Sequence, residues 1–343
     1  MAALGLLIGC GTGSPPSAPV PSASPASPES DRACSPAASL DGFSDALDGT
    51  TFGGTYVGNL SALAADGDGD GHIEALSDRS ALFTLDRATL RPTGVVALRD
   101  EQGGQLDSEA LVLDRDGTLL VSSETEPSIR RYRRDGTLLG RLPVPPALLV
   151  APAGRAATNR TFEGLALQPD GRTLIASMEG ALDDDQSNLV RFQTWTRDAP
   201  SAEFRAGVQY GYPIDPGSGV SEITDTGDGR LLVLERGFIP EVGNSVRVYL
   251  TDPSKGADIS GVDQLAARPD LLTKTPLVDL FDCPPLGATA QEPQPNPLLD
   301  NVEGMTILGR DPDGALQLLL VSDDNQRPTQ TTRLYRLTLR LPR

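Results

Sequence analysis

Apolar and polar positions along this chain repeat one phrase five times. An acidic or small residue leads into an apolar run of strand length, then a Gly-containing turn, a second apolar run and another acidic residue. The copies span Leu60–Asp78, Ser108–Glu124, Phe162–Glu179, Ser221–Glu235 and Val302–Asp323. Each copy predicts a β-hairpin, because Asp-Gly between apolar runs is a strong hairpin signal. The turns are Asp116-Gly117, Asp170-Gly171, Asp228-Gly229 and Asp313-Gly314, and the first copy uses the longer run from Asp66 to Gly71. The runs are apolar nearly throughout, as in strands covered on both faces. Third strands are expected at Ala81–Asp86, Ser128–Arg133, Asn188–Gln193, Ser245–Thr251 and Thr332–Leu339, and fourth strands at Thr93–Leu98, Thr137–Leu142, Ala202–Gln209 and Thr275–Leu280. Four-stranded units repeated in a ring predict an all-β fold, a β-propeller of five blades. A degenerate sixth blade within Ile259–Leu280 is the alternative, although that stretch has few strand-like runs and reads better as an insertion. The fifth copy has no fourth strand of its own. An N-terminal strand, expected at Thr50–Val57, would close the ring and remove the exposed edge.

The repeat also predicts where chemistry can lie. Within a hairpin, the start of the first strand and the end of the second share one end, and the inner strands of a propeller line a central channel. Ten positions should therefore meet at one mouth: Ser61, Glu109, Glu163, Glu222 and Glu303 on the inner strands, with Asp78, Glu124, Glu179, Glu235 and Asp323 beside them. Nine carboxylates in one opening raise one another's pKa unless they are compensated. Arg79 and Arg236 are nearby counter-charges, and a hard divalent cation is the other solution. Ca²⁺ suits an all-oxygen donor set, and zinc does not. The nine acids are the candidate metal ligands. Glu109, Glu163, Glu222 and Glu303 are ligands or base, Arg79 and Arg236 are contacts for an oxyanion or phosphate, and Asn59, Asn301 and Asn325 are neutral oxygen donors flanking the ring. The structural alternative is that the acids cap strand ends by accepting backbone N–H bonds.

Composition narrows the partners. The net charge of −18 argues against nucleic acid or an anionic membrane surface as a direct partner. With only 4 % aromatic residues, the core must be mostly Leu, Val, Ile and Ala. Residues 1–9 resemble a lipoprotein-type signal ending in Leu7-Ile8-Gly9-Cys10, so Cys10 is the expected lipidation site and the one route to a membrane. That match lacks a basic residue ahead of its short apolar run. Residues 10–38, rich in Pro, Ser and Ala, read as a flexible tether, and residues 39–343 as the propeller. The expected protein is a monomer, exported and either lipid-anchored to the cell envelope or secreted. Export permits a Cys34–Cys283 disulfide, with two free thiols as the alternative.

Five short strings resemble the bacterial phytase-like esterase family, described as "esterase-like activity of phytase". They are Ser-Asp-Arg at Ser77–Arg79, Phe-Glu-Gly-Leu-Ala at Phe162–Ala166, Gly-Val-Ser-Glu at Gly219–Glu222, Asn-Val-Glu-Gly-Met at Asn301–Met305 and Ser-Asp-Asp-Asn at Ser322–Asn325. The resemblance runs from Gly58 to the C-terminus. It implies a secreted or surface-attached propeller that hydrolyses ester or phosphoester bonds of a small molecule, and it brings no settled catalytic residues.

A Ser-His-Asp hydrolase is excluded in practice. The single histidine, His72, belongs to the turn end of the first hairpin, opposite the acidic mouth. Gly217-Ser218-Gly219 lacks the spacing of a nucleophile elbow. The Asp66–Gly71 run resembles half an EF-hand loop without its helices, and Asp183-Asp184-Asp185 reads as a solvated acidic loop. Metal-assisted hydrolysis fits the mouth best. Two alternatives stand beside it: a non-enzymatic surface propeller that binds a ligand or protein with structural Ca²⁺, and a Ca²⁺-dependent lactonase.

Overall fold

The computed structural model describes residues 1–2, 30–65 and 71–342, and folds as five four-stranded antiparallel sheets in a propeller. Blade one is Leu60–Ala65, His72–Ser77, Ala81–Asp86 and Pro92–Ala97. Blade two is Leu111–Leu113, Leu119–Ser123, Ser128–Tyr132 and Leu138–Arg141. Blade three is Phe162–Leu167, Thr173–Met178, Leu189–Thr196 and Arg205–Pro213, and blade four is Ser218–Asp225, Leu231–Ile239, Gly243–Thr251 and Lys274–Asp279. Blade five takes Val302–Arg310, Leu316–Ser322 and Leu334–Leu339 from the end of the chain and Ala38–Ser44 from its beginning. Cys10 and residues 66–70 lie outside the described residues, and with them the lipidation and EF-hand-like readings. Among the described residues no helix is long and apolar enough to cross a membrane.

An N-terminal strand closes the ring, but it is not Thr50–Val57. Ala38–Ser44 pairs with Leu334–Leu339, with Ala38 opposite Leu339 and Ser44 opposite Leu334. Thr50–Val57 fails as a strand because Gly53 and Gly54 take φ of 59° and 82° and fold it into a tight hairpin, Thr51–Phe52 against Thr55–Tyr56. Ala38 and Leu40 supply the alternate buried positions that a half-covered strand needs. No sixth blade occurs among the described residues. Lys274–Asp279 is the outer strand of blade four, and the rest of that long interval is loop with short 3-10 turns at Pro253–Lys255 and Leu280–Asp282.

Five apolar clusters, one at each junction between neighbouring blades, hold the ring together. Leu76 and Leu111 meet between blades one and two, and Leu165 and Leu120 between two and three. Ile175 and Val233 meet between three and four, Leu234 and Met305 between four and five, and Leu63 and Leu319 between five and one. Each fully buried Leu or Ile contributes about 1.5–3 kcal/mol by transfer out of water. Near the axis the inner strands crowd. A Cβ on Gly164 would lie 2.5 Å from the Ile223 nitrogen, and one on Gly304 would lie 3.0 Å from the Ala62 Cα.

Cys34 and Cys283 form a disulfide across 249 residues, and the Ser35 hydroxyl donates to the Leu277 carbonyl at 2.6 Å. The segment ahead of the closing strand is thus fastened to blade four. A cross-link of that span removes roughly 5 kcal/mol of unfolded-chain entropy in the loop-closure account. The Cys34→Ala, Cys283→Ala double variant is expected to lose about 3–5 kcal/mol in denaturant unfolding. An unchanged midpoint would mean that strand pairing alone holds the seam.

Candidate functional site

Register decides which side chains reach the mouth. The inner strands of blades one, three, four and five each carry a β-bulge at the mouth end, at Leu60/Ala62, Phe162/Gly164, Val220/Glu222 and Val302/Gly304. The residues inside the bulges are Ser61, Glu163, Ser221 and Glu303. Glu109 takes the same place in blade two, where the Ser122 N–H donates to the Ala110 carbonyl. Blade four is therefore one residue out of step with the sequence-based alignment. Glu222 stands where the other blades have Ala62, Ala110, Gly164 and Gly304. Arg236, not Glu235, stands in line with Asp78, Glu124, Glu179 and Asp323, since Arg236 lies opposite Gly219 and Glu235 opposite Val220.

Two predicted ring ligands are corrected by this shift. Glu222 is a cap: its Oε1 accepts from Leu165 N–H at 3.1 Å and from Ile223 N–H at 2.9 Å. Burial holds its carboxyl well above the usual range, against those two bonds. Glu235 belongs to a separate network. It accepts from Lys274 Nζ at 2.6 Å, from the Tyr212 hydroxyl at 2.8 Å and from Asp215 N–H at 2.8 Å. The strand-capping alternative thus holds for Glu222 alone among the inner-strand acids. Glu222→Ala would leave two buried N–H groups without acceptors, a cost of about 1–3 kcal/mol each. Thermal unfolding is expected to show that loss, with cation affinity unchanged by calorimetry.

The remaining acids converge. Asp107, Glu109 and Glu124 can bring one oxygen each within 4.8 Å of one another, and so can Glu124, Glu163 and Glu179. Glu124 is common to both groups. Its Oε1 accepts from Thr161 N–H at 3.0 Å, which fixes the carboxylate at the junction of blades two and three. Glu303 accepts from the Asn301 amide at 3.0 Å, and the same amide lies 3.4 Å from Asp323 Oδ2. Asn325 N–H donates to Asp323 Oδ1 at 2.7 Å. Asp107 was missed by sequence reasoning. It sits two residues before Glu109, the offset at which Asn59 and Asn301 precede Ser61 and Glu303, so that shared offset was the available signal.

Burial and mutual repulsion act together here. Desolvation first, then Glu303, Glu124 and Asp107, push the Glu109 carboxyl well above its ordinary value. Glu163 is raised likewise by burial, Glu109 and Glu179. Burial lifts Glu124 to about 7, Asp78 to about 6 and Asp323 to about 9, with neighbouring carboxylates adding to each. Counter-charge is sparse. Arg236 lies 3.3 Å from Glu303 and 3.7 Å from Glu179. Arg79 pairs with Asp78 at 3.4 Å, but its side chain is 64 % exposed and stands outside the cluster.

Backbone strain marks the same rim. Asn59, Asn325 and Gln326 take φ of 55°, 46° and 50°, uncommon for residues other than glycine. Asp324 locks this corner by accepting from Asn59 N–H at 2.8 Å and from the Tyr56 hydroxyl. Elsewhere the expectations divide. His72 opens the second strand of blade one, at the end away from the mouth. Asp183 and Asp184 are exposed, but the Asp185 side chain is buried and paired with Arg191 at 2.7 Å.

A secreted protein of Arthroderma benhamiae, named only as uncharacterized, is 26 % identical over 117 residues, covering 27 % of this chain and 23 % of its own length. The chain thus matches about a quarter of that relative. Among solved structures, a gluconolactonase from Xanthomonas campestris is 15 % identical with a TM-score of 0.44, over 83 % of this chain and 73 % of its own. A streptogramin B lyase is 10 % identical with a TM-score of 0.37, over 82 % of this chain and 94 % of its own. At those values neither likeness bears on the reaction. The family described as "Phytase-like: Esterase-like activity of phytase" matches residues 55–326, most of the propeller, and the chain belongs to that family.

Proposed function

We propose that this protein is an exported hydrolase of ester or phosphoester bonds that uses a divalent cation, Ca²⁺, at the acidic mouth. The observation that carries the reading is the pair of three-carboxylate groups joined through Glu124. The donors are all carboxylate oxygens, with no His or Cys among them, and such a set fits a hard cation that takes roughly six to eight oxygens. Asp107, Glu109, Glu124, Glu163 and Glu179 would hold it. When bound, the cation would polarise the carbonyl or phosphoryl oxygen under attack. Glu303 lies outside both groups, held by Asn301 and facing Arg236, and would orient a water and take its proton. Export fits a disulfide and the Arthroderma benhamiae relative named as secreted. The segment 1–9 as signal, Cys10 as the lipid anchor and the following residues as tether complete the proposal.

Calorimetric Ca²⁺ titration of the full chain tests this, paired with turnover of a phosphate monoester, a carboxylate ester and a lactone, with and without chelator. Saturable binding with chelator-sensitive turnover of either ester is the expected result. Turnover of the lactone alone would make the protein a lactonase. Tight binding with no turnover of any of the three would make it a binding propeller with a structural ion.

A further inference from the structure

We infer that the blade-four sector of the mouth is an anion subsite in which Arg236 anchors a carboxylate or phosphate group carried by the substrate beside the scissile bond. The inference rests on the hydrolase reading above and assigns its substrate class. Blade four is the one blade that brings no carboxylate to the mouth, because its register places Ser221, Arg236 and Gly219 at the three positions where every other blade presents at least one acid. Arg236 is largely buried, with a side chain 20 % exposed.

Its donors are nonetheless only partly spent. The two nearest carboxylates stand off at 3.3 Å and 3.7 Å, and Nε is buried with no acceptor. Arginines whose task in this protein is structural look different. Arg191 grips Asp185 through two bonds of 2.7 and 2.9 Å, and Arg333 grips Asp45 at 2.6 and 2.9 Å. A guanidinium offers five N–H donors in a rigid fork matched to a carboxylate or phosphate. Burying the Nε–H of that fork without an acceptor is costly unless a ligand completes it.

The surroundings support an incoming anion. Arg160 of the loop before blade three approaches Glu179 at 3.9 Å, so Glu179 lies between two cations. Gly219 contributes no side chain, and a Cβ there would lie 2.8 Å from Glu179 Cγ. The mouth is therefore divided. Carboxylates of blades two and three form the cation side, and Arg236 faces them from blade four with Glu303 of blade five beside it. A substrate spanning both sides carries a second oxyanion next to its reactive ester. Neutral esters fill only half of this site.

Binding of inorganic phosphate and of succinate to the Ca²⁺-loaded full chain tests the subsite directly, in the native protein, Arg236→Gln and Arg236→Lys. Both probes report the shared chemistry, and the stronger one names its source. Affinity should fall about tenfold or more in Arg236→Gln and partly in Arg236→Lys, whose ammonium keeps the charge but not the fork. In turnover, the kcat/KM ratio of an anion-bearing ester to its neutral analogue should fall by a similar factor. Equal binding in all three proteins, no binding in any of them, or an equal loss on both esters would overturn the subsite and leave Arg236 as a counter-ion. If Arg236→Gln fails to fold, the Lys variant decides the matter. Arg236-dependent binding without hydrolysis of any ester would sink the hydrolase reading and keep the subsite, whereas hydrolysis with Arg236-independent binding would do the reverse.

Discussion

Glu124→Gln should abolish saturable cation binding and lower ester turnover by about 100-fold or more, the largest effect expected of any single substitution. Even groups that merely support a metal ligand cost about 10–100-fold when removed. Glu124 is the carboxylate common to both three-acid groups. Its backbone anchor, the Thr161 N–H at 3.0 Å, can be kept by the amide oxygen of Gln, so the variant should fold. One stability effect has an unusual sign. Burial already pushes the Glu124 carboxyl up to about 7, so removing its charge relieves repulsion in the chelated protein. In chelator at pH 8 the variant should melt no lower than the native protein, and with Ca²⁺ present it should melt lower. Glu222→Ala should behave in the opposite way, losing stability under both conditions and keeping cation affinity. If Glu124→Gln and Glu222→Ala gave the same profile, the distinction between ring and cap would be wrong.

That distinction shows where the sequence was legible and where it was not. Apolar runs separated by Asp-Gly define hairpins at a spacing set by local chemistry, so the blades, their number and most strand positions follow from the chain alone. The failures are failures of register. A β-bulge inserts one residue into one strand and changes which side chain faces the axis. Gly-Val-Ser-Glu at Gly219–Glu222 invites alignment of Glu222 with Glu163, but the bulge puts Ser221 there. The absence of a small residue at Ile223 was a sign of this shift, since Glu222 itself occupies the position that Gly164 and Gly304 hold elsewhere. Thr50–Val57 misled for a related reason. Its composition suits a strand, while two left-handed glycines at its centre decide its shape. Cys34 and Cys283 needed no register, and their pairing was readable from compartment and parity.

The second large effect concerns pH. In chelator, this protein should be more stable at pH 5 than at pH 8, by about 5 °C or more in melting temperature. The sign follows from linkage. Asp78, Glu124 and Asp323 have folded-state values raised to about 6, 7 and 9, and Glu109 and Glu163 are raised well above theirs, each mainly by burial. A raised carboxyl binds its proton more tightly in the folded than in the unfolded chain. Stability is therefore greatest near the unfolded values, around pH 4, and is lost as pH climbs toward the folded ones. Every tenfold gain in a carboxyl's proton affinity on folding is worth about 1.4 kcal/mol, so a few such groups reach several kcal/mol between pH 5 and 8, or roughly 1–2 °C per kcal/mol in a domain of this size. Carboxylates with lowered values, such as Asp228 beside Arg230, act in the opposite sense but only in more acidic solution, outside this window. Saturating Ca²⁺ should reverse the trend, because a bound cation favours the ionised acids and competes with protons for the same oxygens. The gain from Ca²⁺ should then be large at pH 8 and small at pH 5. A melting temperature that rises from pH 5 to 8 in chelator would mean that the mouth is compensated within the protein. The cation would then lose its electrostatic reason to bind.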